Sequence, residues 1–240
     1  MDPDFFMESL GEKIIDFYRR LEFKGNLPRG ISVMNPYRDN PLVIKVVEEF
    51  FRKFYSDNNP RFIILGINPG RFGAGVTGIM FTDTIRLLEK CGIVAEGFET
   101  RELSSEFIYE MIDRFGGVRK FFSIFYVSAI CPLGFTITGK ERKVVNFNYY
   151  DSNELLNLLY DFIVEKISEQ LSFGIKREVC YCLGTGKNFR FLSELNEKYS
   201  FFDSIIPLEH PRFIMQYRRK KKDLFIEKYL EAFSLIGKYL

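Results

Sequence analysis

Two stretches of this 240-residue sequence hold the side chains best suited to chemistry. The first runs Gly66-Ile-Asn-Pro-Gly-Arg-Phe-Gly-Ala-Gly-Val-Thr-Gly-Ile-Met-Phe-Thr-Asp83, with five glycines between positions 66 and 78. Glycines at that density let the main chain approach a ligand closely. Asn68, locked by Pro69, offers a neutral amide that can hold a water or a carbonyl but is no strong base. Asn before Pro is also a common turn former. The second stretch, Leu208 to Lys222, contains the one histidine of the chain, His210, followed by Pro211. A neutral imidazole can donate a hydrogen bond, although a lone histidine is often structural.

Six basic residues lie in that second stretch, Arg212, Arg218, Arg219, Lys220, Lys221 and Lys222, with no acidic residue among them. Cations at the start of a helix oppose its dipole, so an anionic partner such as phosphate would account for them. The plain alternative is a solvated helix start. Phe213, Ile214, Met215 and Tyr217 interleave with the charges. Apolar wedges beside phosphate-binding cations suit a protein that unstacks bases.

Nucleotide-binding loops fit poorly. The glycine stretch has neither the GxxxxGK[ST] nor the GxGxxG spacing, and Gly184-Thr-Gly-Lys187 is followed by Asn188 where Ser or Thr should bind magnesium. The four cysteines, Cys91, Cys131, Cys180 and Cys182, lack metal-ligand spacing and read as buried reduced thiols. No metal and no cofactor is implied.

The elements that position these loops follow from apolar rhythm. Helices are predicted over Phe5–Leu21, from an Asn40 N-cap and Pro41 to about Tyr55, over Thr82–Lys90 and over Ser104–Phe115. Further helices are predicted from a capping box of Asp151 and Glu154 to Phe173, after Gly186, and over Lys222–Ile236. Short apolar runs at Arg61–Leu65, Phe122–Ile130, Glu178–Leu183 and Phe201–Pro207 read as strands buried on both faces. Strands alternating with helices predict one α/β domain over residues 1–240, a three-layer αβα sandwich around a mostly parallel four-stranded sheet. In such sheets ligands bind at the carboxyl ends of strands, where both stretches fall.

With 34 Lys and Arg against 32 Asp and Glu, the net charge of +2 excludes a wholly basic protein but not a local basic patch. No stretch approaches the ~20 apolar residues of a membrane span, and nothing resembles a signal peptide. The expectation is a cytoplasmic, nucleoid-associated monomer without membrane contact.

Gly66-Ile-Asn-Pro-Gly-Arg-Phe-Gly with Thr77-Gly-Ile-Met-Phe81 resembles the first motif of the single-strand-selective monofunctional uracil-DNA glycosylases, and His210-Pro211 resembles the second motif of their superfamily. Phe125–Leu133 resembles the family's middle strand and loop, and Leu183–Lys187 a further turn. The likeness spans residues 60–235 in the correct order and is greatest to the bacterial branch.

It implies a base-excision repair enzyme acting on single-stranded and duplex DNA. Asn68 would orient the hydrolytic water and His210 would bond the uracil oxygen as charge builds on the leaving base. Phe81 would stack on the flipped base, with backbone contacts from Ile67 to Gly70. The family's pyrimidine-reading Asn falls at Ala129 here, and Asn148 would substitute from a neighbouring loop. Arg212, Phe213, Arg218, Arg219, Lys220, Lys221 and Lys222 would contact DNA. No activated lysine is evident, so strand cleavage is not expected. Two other classes stay open: a non-catalytic nucleic-acid-binding member of the same fold, and a small-molecule enzyme using the glycine loop.

Overall fold

Capping side chains start the first long helices where the residue types demand. The structure, a computed structural model, describes residues 8–139 and 142–239. Ser9 caps α1 (Leu10–Arg20) by accepting the Glu12 N–H; the Phe5–Met7 part of the expected helix lies outside the described residues. A short strand β1 (Ile31–Met34) and helix α2 (Pro36–Asp39) follow. The Asn40 side chain then accepts the Leu42 N–H at 3.0 Å and opens α3 (Pro41–Phe54).

Next come β2 (Arg61–Gly66), α4 (Ala74–Thr77), α5 (Thr84–Glu89), α6 (Leu103–Phe115), α7 (Val118–Phe122) and β3 (Phe125–Ala129). After β4 (Gly134–Thr138) and β5 (Val144–Phe147) the chain forms α8 (Asn153–Leu171), β6 (Ile175–Leu183), α9 (Lys187–Tyr199) and β7 (Ile205–Leu208). It ends in α10 (Pro211–Tyr217), a 3-10 turn at Arg219–Lys221, α11 (Lys222–Ser234) and a last 3-10 turn.

The central sheet has the order β3-β2-β6-β7, and every pairing in it is parallel. Side chains alternate across a strand, so neighbouring residues report the two faces. Phe125 packs on Phe115 of α6, Phe121 of α7 and Phe233 of α11, with ring centroids 5.6, 5.0 and 4.7 Å apart. Tyr126 points the other way, to Phe51 of α3, Tyr55 and Gln170 of α8. Helices thus cover both faces, completing the αβα sandwich.

Several expected boundaries move. Phe122 ends α7 rather than opening a strand, and the last strand starts at Ile205 because Phe201 and Phe202 turn inward ahead of it. Ser152, not Asp151, caps α8, accepting the Leu155 N–H, while Asp151 instead accepts the Asn148 N–H. Met215 and Ile214 bury one side of α10, a helix within what reads in sequence as a basic loop.

A second sheet was not foreseen: β1, β4 and β5 form an antiparallel unit of order β1-β4-β5. Its strands are short and its two outer strands, β1 and β5, are half exposed, so they lack the continuous apolar runs that reveal the central strands. This sheet abuts the glycine-rich loop, for a Cβ on Gly134 would lie 2.6 Å from both the Pro69 carbonyl oxygen and Met34 Cε. Gly134→Ala should therefore cost about 1–3 kcal/mol through overpacking against main chain. Urea unfolding measures it; a wild-type midpoint would show that the small sheet is not pinned to the loop.

Candidate active site

The carboxyl end of β2 runs into the glycine loop, whose shape is set by what it lacks. A Cβ on Gly66 would lie 2.9 Å from Phe81 Cζ, so the aromatic ring rests directly on the strand end. Phe81 holds a left-handed backbone with φ of 53°, a conformation costly for a side chain of this size. The loop is braced on both sides of it. Thr77 Oγ1 donates to the Thr82 carbonyl at 2.7 Å and accepts the Ile79 N–H, while Thr82 Oγ1 bonds the Tyr109 hydroxyl at 3.0 Å.

Asn68 is held from the neighbouring sheet. Its Oδ1 accepts the Tyr149 N–H at 3.2 Å, and its Nδ2 donates to Pro69 O at 3.3 Å. Tyr149 is anchored in turn by its hydroxyl, which donates to Asn188 Oδ1 at 2.8 Å. The amide orientation is thereby determined, and Oδ1 keeps a second lone pair for a ligand.

His210 follows β7 and caps α10: Nδ1 accepts the Arg212 N–H at 3.1 Å. A ring nitrogen that accepts carries no proton, so the neutral imidazole has its proton on Nε2. Burial, assisted by the positive charge of Arg212, lowers the His210 pKa to about 4. Its ring lies 5.6 Å from that of Phe81.

These groups line one cavity of about 460 Å³. Ile67, Asn68, Gly70, Phe81, Asn148, His210, Arg212 and Phe213 all border it, so the residues expected at the chemical centre are brought together. The rest of the basic run lies outside the lining. Arg218 stacks 5.6 Å from the Phe213 ring. Arg219 pairs with Glu106 at 3.0 Å and Lys222 bonds Glu110 at 2.7 Å, so both brace the chain onto α6. Lys220 and Lys221 are exposed and make no ion pair among the described residues. Cations at the start of α11 thus find part of their compensation inside the protein.

Sequence reasoning missed Glu102, Asn146, Tyr150 and Lys187, which also border the cavity. Asn146 and Asn148 alternate along extended chain, and reading β5 as a strand would have placed both on one side. Ala129 ends β3 fully buried, opposite Gly66. Glu102 sits in a stretch that reads as an exposed loop. In the fold its Oε2 is buried without a hydrogen-bond partner among the described residues, and its pKa is raised to about 7. Burial is the main cause and the Asp83 carboxylate the second, with Arg212 opposing them. Burial also pushes the thiols of Cys131 and Cys182 up to about 12, which makes them poor nucleophiles.

The parallel strands of this α/β sandwich end in a cavity that holds an oriented amide and a neutral imidazole donor, groups able to hold a water or carbonyl and to donate a hydrogen bond. The sequence matches the model of the uracil DNA glycosylase superfamily over residues 52–234. The structure is similar to the crystal structure of wild-type Pedobacter heparinus SMUG2, with a TM-score of 0.94 and 48% identity, covering 97% of this chain and 100% of that one. No curated protein matches the sequence. The chain belongs to the uracil DNA glycosylase superfamily.

Because the chain has one histidine, the electrostatics of the site can be read directly. Nitrogen NMR of the His210 ring should show a neutral imidazole protonated on Nε2 from pH 8 down to about 5.5, with a midpoint near 4. Arg212→Ala removes a repelling positive charge and should raise that midpoint. A wild-type midpoint near the ordinary value of ~6.5 would contradict a dry, Arg212-facing ring.

Proposed function

We propose that this protein is a monofunctional DNA glycosylase that hydrolyses the N-glycosidic bond of uracil or a related deaminated or oxidised base. The observation that carries the reading is that Asn68 and His210, delivered by two different strand ends, border one cavity with Phe81. The cavity is within the range of about 300–1,000 Å³ usual for small-ligand sites, and its rim presents the exposed Arg212, Phe213 and Tyr217. Likeness to SMUG2 along the whole chain supports the same reading.

A base inside a duplex is out of reach, so the nucleotide must be extruded into the cavity. Phe81 would offer its ring to the flipped base and the Ile67–Gly70 backbone would contact its edge. Asn148, whose side chain makes no hydrogen bond among the described residues, would read that edge in place of the Asn that Ala129 replaces. As the glycosidic bond stretches, the sugar takes on oxocarbenium character and the base becomes anionic. His210 Nε2–H would donate to the developing oxyanion, an interaction worth about 2.7–4 kcal/mol in a water-poor site. A neutral imidazole suits this task at physiological pH, since its Nε2–H donates without the ring first having to gain a proton. Asn68 would orient the water.

Asn68→Ala and His210→Ala should each lower the rate of free-base release from a lesion-containing oligonucleotide at least about tenfold with the fold intact, at a stability cost of about 0.5–2 kcal/mol for the lost cap or loop hydrogen bond. Wild-type rates in either variant would sink the assignment. A panel of oligonucleotides carrying uracil, its oxidised derivatives, hypoxanthine or xanthine identifies the base.

The basic segment divides by partner. Neutralising Lys220 and Lys221 should weaken binding to all DNA sequences alike and flatten the plot of log affinity against log salt by roughly 0.7–0.9 for each phosphate no longer neutralised. Arg219→Ala and Lys222→Ala should act mainly on stability, because they release Glu106 and Glu110. An unchanged slope in the double lysine variant would retire phosphate tracking by this segment.

A further inference from the structure

Glu102 borders the cavity from the residue preceding α6 and has no part in the chemistry above. Its main chain is fixed, for its N–H donates to Asp83 Oδ2 at 3.0 Å. Its carboxyl group occupies space that exists because Gly73 has no side chain; a Cβ there would collide with Oε2. The other oxygen, Oε1, lies 3.7 Å from the position a Gly70 Cβ would take, and Asn146 Nδ2 lies 3.6 Å from the same point. Asn146 is oriented for this, since its Oδ1 accepts the Arg71 N–H at 3.0 Å and its Nδ2 has no hydrogen-bond partner among the described residues. A donor and an acceptor flanking a gap that no side chain fills are what a positioned water requires. Asn68 can orient a water but cannot take its proton, whereas a carboxylate can.

We propose that Glu102 is the general base of the reaction, accepting a proton from the water that Asn68 orients, held over Gly70 with Asn146 and Glu102 beside it, as that water attacks C1′ of the deoxyribose. This rests on the glycosylase reading above. In the step, an electron pair of the water oxygen forms the C1′–O bond and one water proton passes to the Glu102 carboxylate. The C1′–N bond breaks with its electron pair leaving on the base, and the proton later moves from Glu102 to the departed base or to solvent. The charged groups facing the carboxyl are Asp83 at the start of α5, which disfavours its ionisation, and Arg212 of α10, which favours it. His210 is neutral above about pH 5 and adds no charge, and the Arg71 guanidinium is stacked on the Phe72 ring. With a pKa near 7, Glu102 loses its base form as pH falls through that value.

Single-turnover excision of the fastest-cleaved lesion from a single-stranded oligonucleotide, between pH 5.5 and 8.5, tests the proposal, with oligonucleotide affinity measured in parallel. The wild-type rate should rise about tenfold per pH unit below pH 7 and level off above it. Glu102→Gln should lower the plateau at least about 100-fold, remove the pH dependence and leave affinity within about twofold. Asn146→Ala should slow excision without moving the midpoint. An active wild type with a flat or falling profile, or a Glu102→Gln plateau above a tenth of wild type, overturns the role of Glu102 and leaves the glycosylase reading standing. If the Gln variant does not fold, the wild-type profile alone decides. A wild type inactive on every lesion overturns both.

Discussion

Parallel pairing of β2 with its neighbours is the constraint on which the site depends. The register sets Gly66 beside Ala129 and Leu65 beside Cys182, and β7 ends level with β6 through the pair Leu183 and Leu208. Strands that run the same way end at the same edge, so residues far apart in sequence are delivered to one place. Asn68 lies two residues beyond β2 and His210 two beyond β7. A slip of one residue in either pairing would turn side chains to the opposite face and separate the amide from the imidazole. β2 is buried along its whole length, and its start is tied in place by Arg61, which donates to Phe122 O and Asp57 Oδ2.

That edge supplies position; burial supplies the electrostatics. Desolvation of His210 keeps it neutral and the Arg212 N–H fixes which nitrogen donates, while desolvation of Glu102 keeps it partly protonated near neutral pH. The two effects run in opposite directions in proton terms and arise from one cause, since burial disfavours whichever form is charged. Arg212 acts on both groups, lowering each pKa through its positive charge. One exposed arginine at the rim therefore couples the surface around the cavity mouth to the ionisation of the interior.

Tight packing at the glycine loop complements this. Gly66, Gly73 and Gly134 each adjoin a group that a methyl would displace: the Phe81 ring, the Glu102 carboxyl and the Pro69 carbonyl. The small antiparallel sheet, though it lacks a strong apolar pattern, holds the loop from outside. It also delivers Asn146 and the Tyr149 N–H that orients Asn68.

The sequence by itself determined the central architecture and marked two of the loops that border the cavity. Runs such as Phe62–Leu65 and Cys180–Leu183 are apolar on both sides and read as buried parallel strands, and the glycine loop and the single His-Pro pair mark two strand ends. Local rules read these because the signal lies within a few residues. The tertiary structure decided what depends on distant partners. Ser152 rather than Asp151 caps α8, and β1, β4 and β5 pair across a sheet too short and exposed to show a period. Arg219 and Lys222 meet carboxylates of α6 more than a hundred residues earlier. Glu102 looks like any surface glutamate until Asp83 and the space left by Gly73 enclose it. Burial is a property of the assembled fold, and the ionisation of a buried group is set by neighbours that no stretch of sequence contains.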